Sequence, residues 1–186
     1  MRVGIFGGTF DPVHTGHIRC IIEAKEKLNL DLIAVVPAGK PPHKNLKIFA
    51  SSQDRLNMLK IALKKWNWIK IFDWELKNKE ISYTFDTLKK IRSYFGSSNE
   101  YYLLAGSDWE KKIKMWKNFS YIKKNSKIIF LERDISNRFS KKNILKIPVL
   151  EISSTIIRQK ISEGKDITLL VPQSVADYIK KHRLYI

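Results

Sequence analysis

The chain has little of what staples or anchors a protein. Its single cysteine, Cys20, cannot close an internal disulfide, which fits a reducing cytosol. No apolar run approaches the ~20 residues that a membrane helix needs. The N-terminal Met-Arg-Val-Gly-Ile-Phe meets charge and glycine too early to read as a signal peptide. Repeats, low-complexity tracts and linkers are missing, so the 186 residues are expected to form one domain, 1–186. The chain also lacks the G-x-G-x-x-G dinucleotide pattern and the Walker phosphate loop. Acidic residues are scarce, 18 Asp and Glu against 35 Lys and Arg.

That last deficit leaves a net charge of +17, which invites a nucleic-acid reading because basic surfaces bind phosphate backbones. The excess is mostly lysine, 27 against 8 arginines, and it is spread along the chain rather than clustered. Arginine clusters interleaved with exposed aromatics, the expected signature of such a partner, are not seen. Lys111-Lys112, Lys123-Lys124 and Lys141-Lys142 read as solvated faces. No nucleic-acid partner and no membrane are expected. A positive field would still draw in anionic nucleotides.

What is present is an alternation of strands and helices. Short apolar runs at Arg2–Phe6, Leu32–Val36, Ile69–Phe72, Tyr101–Ala105, Lys127–Leu131 and Ile147–Leu150 have the look of strands buried on both faces. Helical stretches intervene. Leu56, Leu59 and Leu63 mark one behind a Ser51/Asp54 cap, and another begins near Thr84 with Leu88 and Ile91 inward. A third opens at Ser153-Ser154-Thr155 and buries Ile157 and Ile161. The last starts with Pro172 in its first position and runs to about Lys181. Such alternation predicts an α/β fold, a single doubly wound (Rossmann-like) parallel sheet with helices on both faces. Ligands of these sheets lie beyond the carboxyl ends of the strands.

Four polar motifs follow predicted strands. The first is Gly7-Gly8-Thr9-Phe10-Asp11-Pro12-Val13-His14-Thr15-Gly16-His17, a glycine-rich turn into a helix start. Glycine there allows close backbone approach, and the helix start offers N–H groups and a positive dipole end to a phosphate. His14 and His17 add donors at that mouth. Asp11, His14 and His17 could be taken as zinc ligands, but the spacing is not that of a helical zinc protease and nearby cysteines are absent. Phosphate contact is the preferred reading, and no protein-held metal is expected.

The second motif, Pro37–Lys44, is stiffened by three prolines and carries Lys44, a point charge suited to phosphate. The third, Gly106-Ser107-Asp108, places a carboxylate where a ribose offers two hydroxyls, or where a helix needs a cap. Trp116 beyond it reads as core, with ring stacking as the alternative. The fourth, Ser153-Ser154-Thr155 with Arg158, is either a well-capped helix or an anion site. No Ser-His-Asp or Cys-His arrangement suggests a protein nucleophile.

Together these motifs resemble a known family. The first and fourth are similar to the signatures of nucleotidyltransferases with a His-x-Gly-His motif. Pro41-Pro42-His43-Lys44, Ser82-Tyr83-Thr84-Phe85-Asp86-Thr87-Leu88, Gly106-Ser107-Asp108 with Trp116, and the closing Val171-Pro172, Tyr178-Ile179, His182 and Leu184-Tyr185 narrow the resemblance to bacterial nicotinate-nucleotide adenylyltransferases. The resemblance implies transfer of AMP from ATP to nicotinate mononucleotide, giving nicotinate adenine dinucleotide and pyrophosphate in NAD biosynthesis, in the cytoplasm. It implies that ATP lies against Gly7, Gly8, Thr9, Phe10, Gly106, Asp108, Ser154 and Thr155. His14, His17, Lys44 and Arg158 would then be the catalytic set acting on phosphates. Lys44, Tyr83, Thr84, Trp116 and Lys117 would face the acceptor, with Mg²⁺ arriving on the triphosphate. Assembly into a homo-oligomer is left open.

Lys117 is a departure, since many relatives carry an aromatic residue after the tryptophan; a lysine there could favour the acid over the amide acceptor. Thr9, where serine is frequent, is a mild change. The rivals are a relative acting on nicotinamide mononucleotide or phosphopantetheine and, from another class, a basic nucleic-acid-binding domain.

Overall fold

The computed structural model describes residues 1–40, 47–78, 80–132, 143–147 and 152–186. Six parallel strands form one sheet: β1 (Arg2–Gly8), β2 (Leu32–Pro37), β3 (Ile69–Ile71), β4 (Glu100–Gly106), β5 (Lys127–Glu132) and β6 (Ile144–Lys146). Their order is β3-β2-β1-β4-β5-β6, so the winding reverses between β1 and β4. Phe6 lies beside Val35 on one side and Leu104 on the other, which brings Gly8 and Gly106 to the same edge.

Alternation along the central strands explains the two-sided burial. Phe6, Ile33, Val35, Tyr102 and Leu104 face one apolar cluster, while Val3, Ile5, Ala34, Val36, Tyr101 and Leu103 face another. The first cluster is closed by α1 (Thr15–Lys27) through Cys20, Ile21 and Ala24, and by α2 (Ser52–Leu63) through Met58, Leu59 and Ala62. After the short α3 (Trp74–Lys77), α4 (Thr84–Phe95) closes the second with Leu88 and Ile91, and α5 (Phe119–Asn125) adds Ile122. Two more helices, α6 (Ser154–Ser162) and α7 (Gln173–Lys181), return to the first face with Ile157, Val175 and Ile179. Helices thus cover both faces, as the alternation predicts.

Three details differ from the sequence reading. The last strand is Ile144–Lys146, where Phe130 donates to the Asn143 carbonyl and Ile147 to that of Glu132. Pro148 has no N–H to continue such a ladder, which favours the weaker apolar run before it; residues 148–150 of the expected strand lie outside the described residues. Pro172 sits one place early, as the cap of α7 rather than its first helical residue. Ile161 is only partly buried against the core. The Ser51 cap is as expected, its hydroxyl oxygen accepting the Asp54 N–H at 3.1 Å. Lys111-Lys112 and Lys123-Lys124 are exposed, and Lys141-Lys142 fall outside the described residues. Among the described residues no helix is long and apolar enough to cross a membrane.

Candidate active site

A cleft of about 440 Å³ opens at the winding reversal, between the carboxyl ends of β1 and β4. It is lined by Gly7, Gly8, Thr9, Phe10, His14, His17, Tyr83, Thr84, Gly106, Asp108, Trp116, Lys117, Ser154, Thr155 and Arg158. Every site residue expected from the sequence meets there except Lys44, which lies outside the described residues together with Pro41, Pro42 and His43.

The two histidines form one unit. His14 caps α1, its Nδ1 accepting the His17 N–H at 3.3 Å, and His17 Nδ1 accepts the His14 N–H at 3.3 Å. Their rings stack with centroids 3.6 Å apart. A ring nitrogen that accepts carries no proton, so in this arrangement the ring N–H of each neutral imidazole lies on Nε2. Phe10 props the pair from below. Its ring meets His17 edge-on at 4.9 Å and is 1 % exposed, so its side chain is a support rather than a surface for ligand. Gly8 is needed beside it, since a Cβ there would come within 2.8 Å of the Phe10 ring.

The helix-mouth expectation needs correcting for α1. The Thr15 N–H donates to the Leu170 carbonyl at 2.9 Å, and the His17 N–H is taken by His14. Most of the mouth is therefore already bonded within the protein, and the histidine rings are what it presents. The mouth of α6 is different. Ser153 spends its hydroxyl oxygen on the Ile156 N–H, and the Ser154 hydroxyl donates to the Pro12 carbonyl at 2.9 Å. Arg158 donates to the Asp11 carbonyl at 2.7 Å and to the Thr155 hydroxyl at 3.2 Å, with its guanidinium over the Phe49 ring. The three hydroxyls thus hold the motif in shape, and the N–H groups of the first turn with the rest of the guanidinium fork form the anion-attracting part.

Asp11 is a hub. Its carboxylate accepts the Phe49 N–H at 2.8 Å, the Ala50 N–H at 3.1 Å and the Tyr185 hydroxyl at 2.8 Å. Burial and then the Asp11 charge push the Tyr185 hydroxyl far above its ordinary range. Among the described residues no group of three His, Cys, Asp or Glu is placed to hold a metal ion. Arg55, 1 % exposed, donates to the carbonyls of Thr9 at 2.7 Å and Ala38 at 2.8 Å, lacing together the turns after β1 and β2. Desolvation weakens its hold on the proton, and the nearby Asp11 offsets part of that.

On the opposite wall, Asp108 lies exposed in a single 3-10 turn and makes no side-chain cap, so the capping alternative fails. Trp116 is partly buried, packs edge-on against Trp109 at 5.4 Å and still lines the cleft. It is both core and wall. Its Nε1 and the Ser82 hydroxyl are buried without a hydrogen-bond partner. Lys117 Nζ rests 4.2 Å from the Tyr83 ring centre.

Sequence reasoning missed Lys47 and Glu75, which also line the cleft, and the bracing roles of Arg55 and Tyr185. Lys47 and Glu75 follow no strand-end motif. Arg55 has the spacing of an ordinary α2 residue, and only its place one turn behind the Ser51 cap hints at an inward direction.

Comparison with known proteins agrees with this geometry. Residues 5–160 match the family described as Cytidylyltransferase-like. The chain is 37% identical to a "probable nicotinate-nucleotide adenylyltransferase" of Clostridium tetani, over 99% of this chain and 98% of that one. It is 39% identical to another so described from Clostridium acetobutylicum, over 100% of this chain and 99% of the relative. Among solved structures, the nicotinic acid mononucleotide adenylyltransferase of Plasmodium falciparum complexed with NaAD superposes with a TM-score of 0.74 at 27% identity, covering 99% of this chain and 97% of that one. The chain belongs to the cytidylyltransferase-like nucleotidyltransferases, within their nicotinate-nucleotide adenylyltransferase family.

Proposed function

We propose that this protein transfers AMP from ATP to nicotinate mononucleotide, releasing pyrophosphate and forming nicotinate adenine dinucleotide for NAD biosynthesis. The observation that carries the reading is the cleft at the β1/β4 reversal, walled on one side by the histidine turn and the α6 mouth and on the other by Tyr83, Thr84 and Trp116. Two substrates can lie end to end there. The acceptor's own phosphate is the nucleophile, so the protein has only to align two polyanions and stabilise charge at the α-phosphorus.

In this reading the Nε2–H groups of His14 and His17 donate to the triphosphate, His17 towards the transition state. Gly7, Gly8 and Thr9 give ATP a floor without side-chain bulk, and Phe10 acts beneath His17. Asp108 and Gly106 hold the adenylate ribose, and Ser154, Thr155 and Arg158 hold the β- and γ-phosphates. Lys44 neutralises phosphate from outside the described residues. Tyr83, Thr84 and Lys117 meet the nicotinate end, and Trp116 stacks on its ring. The residues present suit a Mg²⁺ that arrives on the triphosphate, because the described residues of the cleft offer no carboxylate cage and Asp11 is committed to backbone N–H groups. When bound, it neutralises phosphate charge. We take residues 1–186 as one nucleotidyltransferase domain working in the cytoplasm, with no nucleic-acid partner.

Pyrophosphate release measured with ATP and, in turn, nicotinate mononucleotide, its amide and phosphopantetheine tests the reading. Release is expected with the acid and to be far weaker with the others. Equal or greater release with phosphopantetheine would replace the acceptor, and none with any of them would defeat the transferase reading. Tight, salt-sensitive RNA or DNA binding would favour the basic-domain rival.

A further inference from the structure

Glu75 sits on the four-residue α3, away from every motif, yet its side chain reaches the cleft wall. Its carboxyl accepts the Thr87 hydroxyl. Gly39, just past β2, lies so close to α3 that a Cβ on it would stand 2.1 Å from the Glu75 carbonyl oxygen. The next residue, Lys40, bridges to Ile81, and its carbonyl accepts the Ser82 N–H at 3.1 Å. The turn after β2 is therefore tied at two points to the segment that leads into α4.

The helix so held has no cap of its own. Tyr83 occupies the cap position of α4 without a side-chain hydrogen bond. Thr87, 6 % exposed, lies one turn inside, and its bond to Glu75 fixes the rotation of the first turn, which carries Tyr83 and Thr84 into the cleft. Leu88 and Ile91 hold the body of α4 on the core, one turn and more beyond Thr84, so the bond to Glu75 is the side-chain tie nearest the cleft.

We propose that Glu75 is a positioning residue for the acceptor half of the site, acting through Thr87 to set the first turn of α4. The inference rests on the adenylyl-transfer reading above. It concerns the acceptor alone, because the ATP half is braced separately by Arg55 and Asp11.

The test uses steady-state kinetics on the full chain with ATP and nicotinate mononucleotide. Glu75→Ala should raise KM for the mononucleotide roughly tenfold, as expected for losing the Thr87 hydrogen bond to a half-buried carboxyl, with kcat and KM for ATP within about twofold. Thr87→Val, which removes the hydroxyl and keeps the shape, should show the same split, and Thr87→Ser should restore the wild-type value. The double variant should be no worse than Glu75→Ala, since both changes break one link. A normal acceptor KM in Thr87→Val would overturn the proposal, and so would parallel rises for both substrates or a fall in kcat. Should Glu75→Ala fail to fold, the Thr87 pair decides by the same criteria. Wild-type protein that is inactive with the mononucleotide would defeat the functional reading and this one with it; active wild type without the split defeats this one alone.

Discussion

Removing one oxygen at the C-terminal end should loosen a site more than 150 residues earlier in the chain. Tyr185 donates its hydroxyl to Asp11 at 2.8 Å, and Asp11 is 2 % exposed. A hydrogen bond to a buried ionised group contributes about 1.5–3 kcal/mol. The lower end applies, because the same Oδ1 still accepts the Ala50 N–H and Oδ2 the Phe49 N–H after Tyr185→Phe. About 1.5 kcal/mol corresponds to a fall in Tm of roughly 3–6 °C for a chain of this size. Activity should follow, because the Asp11 carbonyl anchors Arg158 at 2.7 Å, so KM for ATP is expected to rise several-fold while KM for the acceptor holds. Thermal unfolding followed by circular dichroism, with kinetics at a temperature where both proteins are folded, reads both effects. An unchanged Tm would mean that water replaces the hydroxyl at no cost; a fallen Tm with unaltered ATP kinetics would separate the hub from the phosphate site.

Other outcomes follow from single groups. His17→Ala should lower kcat by about 10²–10³-fold with little change in KM for ATP, the behaviour of a donor that acts on developing charge; an equal loss in apparent ATP affinity would make it a binding residue. Lys117→Ala should narrow the preference for acid over amide mononucleotide in kcat/KM, because it removes a positive charge from the cleft wall beside Tyr83; unchanged discrimination would dismiss the lysine. Burial holds the Glu75 carboxyl above its ordinary value of 4.5. The folded state therefore keeps this proton longer than the unfolded state, so its contribution is full below about pH 4.5 and is lost as pH rises through the raised value. The unfolding free energy of wild type relative to Glu75→Gln should fall between pH 4.5 and pH 7, and parallel pH profiles would show that the carboxyl is not desolvated.

The sequence exposed the frame of this molecule because the frame is periodic. Buried runs such as Val3–Phe6 and Ile33–Val36 announce central strands, and the Ser51 cap announces α2. Cleft-lining residues were legible where they sit in a turn that follows a strand, as His14 and Asp108 do. Residues that act across the fold were not. Arg55 looks like any helical arginine until its guanidinium is seen bonded to Thr9 and Ala38, 46 and 17 residues away. Tyr185 stands in the closing motif, but nothing in its spacing points to its partner, 174 residues back. The free N–H groups expected at the α1 mouth were misjudged for the same reason, because the Leu170 carbonyl that takes the Thr15 N–H comes from a distant loop. Periodicity reports what a residue does for its own element; bracing between elements has no period.

The bracing also accounts for the electrostatics of the cleft. Among the described residues three carboxyls line the cleft, and two of them are spent inward: Asp11 on Phe49, Ala50 and Tyr185, and Glu75 on Thr87. Of the bracing cations, Arg55 is likewise committed to carbonyls, which leaves Arg158, Lys47 and Lys117 to face the space. Asp108 is the one cleft-lining acid among the described residues left exposed, and it stands at the end of β4 and not beside the histidines. Among the described residues no exposed carboxylate stands along the His14–Arg158 wall to repel a phosphate, and in the proposed function Asp108 is the one kept for hydroxyls. The excess of lysine over the rest of the surface adds a field of the same sign, which speeds the approach of anions but selects none of them. Selection has to come from the acceptor wall, and that is why the tie between Glu75 and Thr87 matters more to substrate choice than the charge of the whole chain.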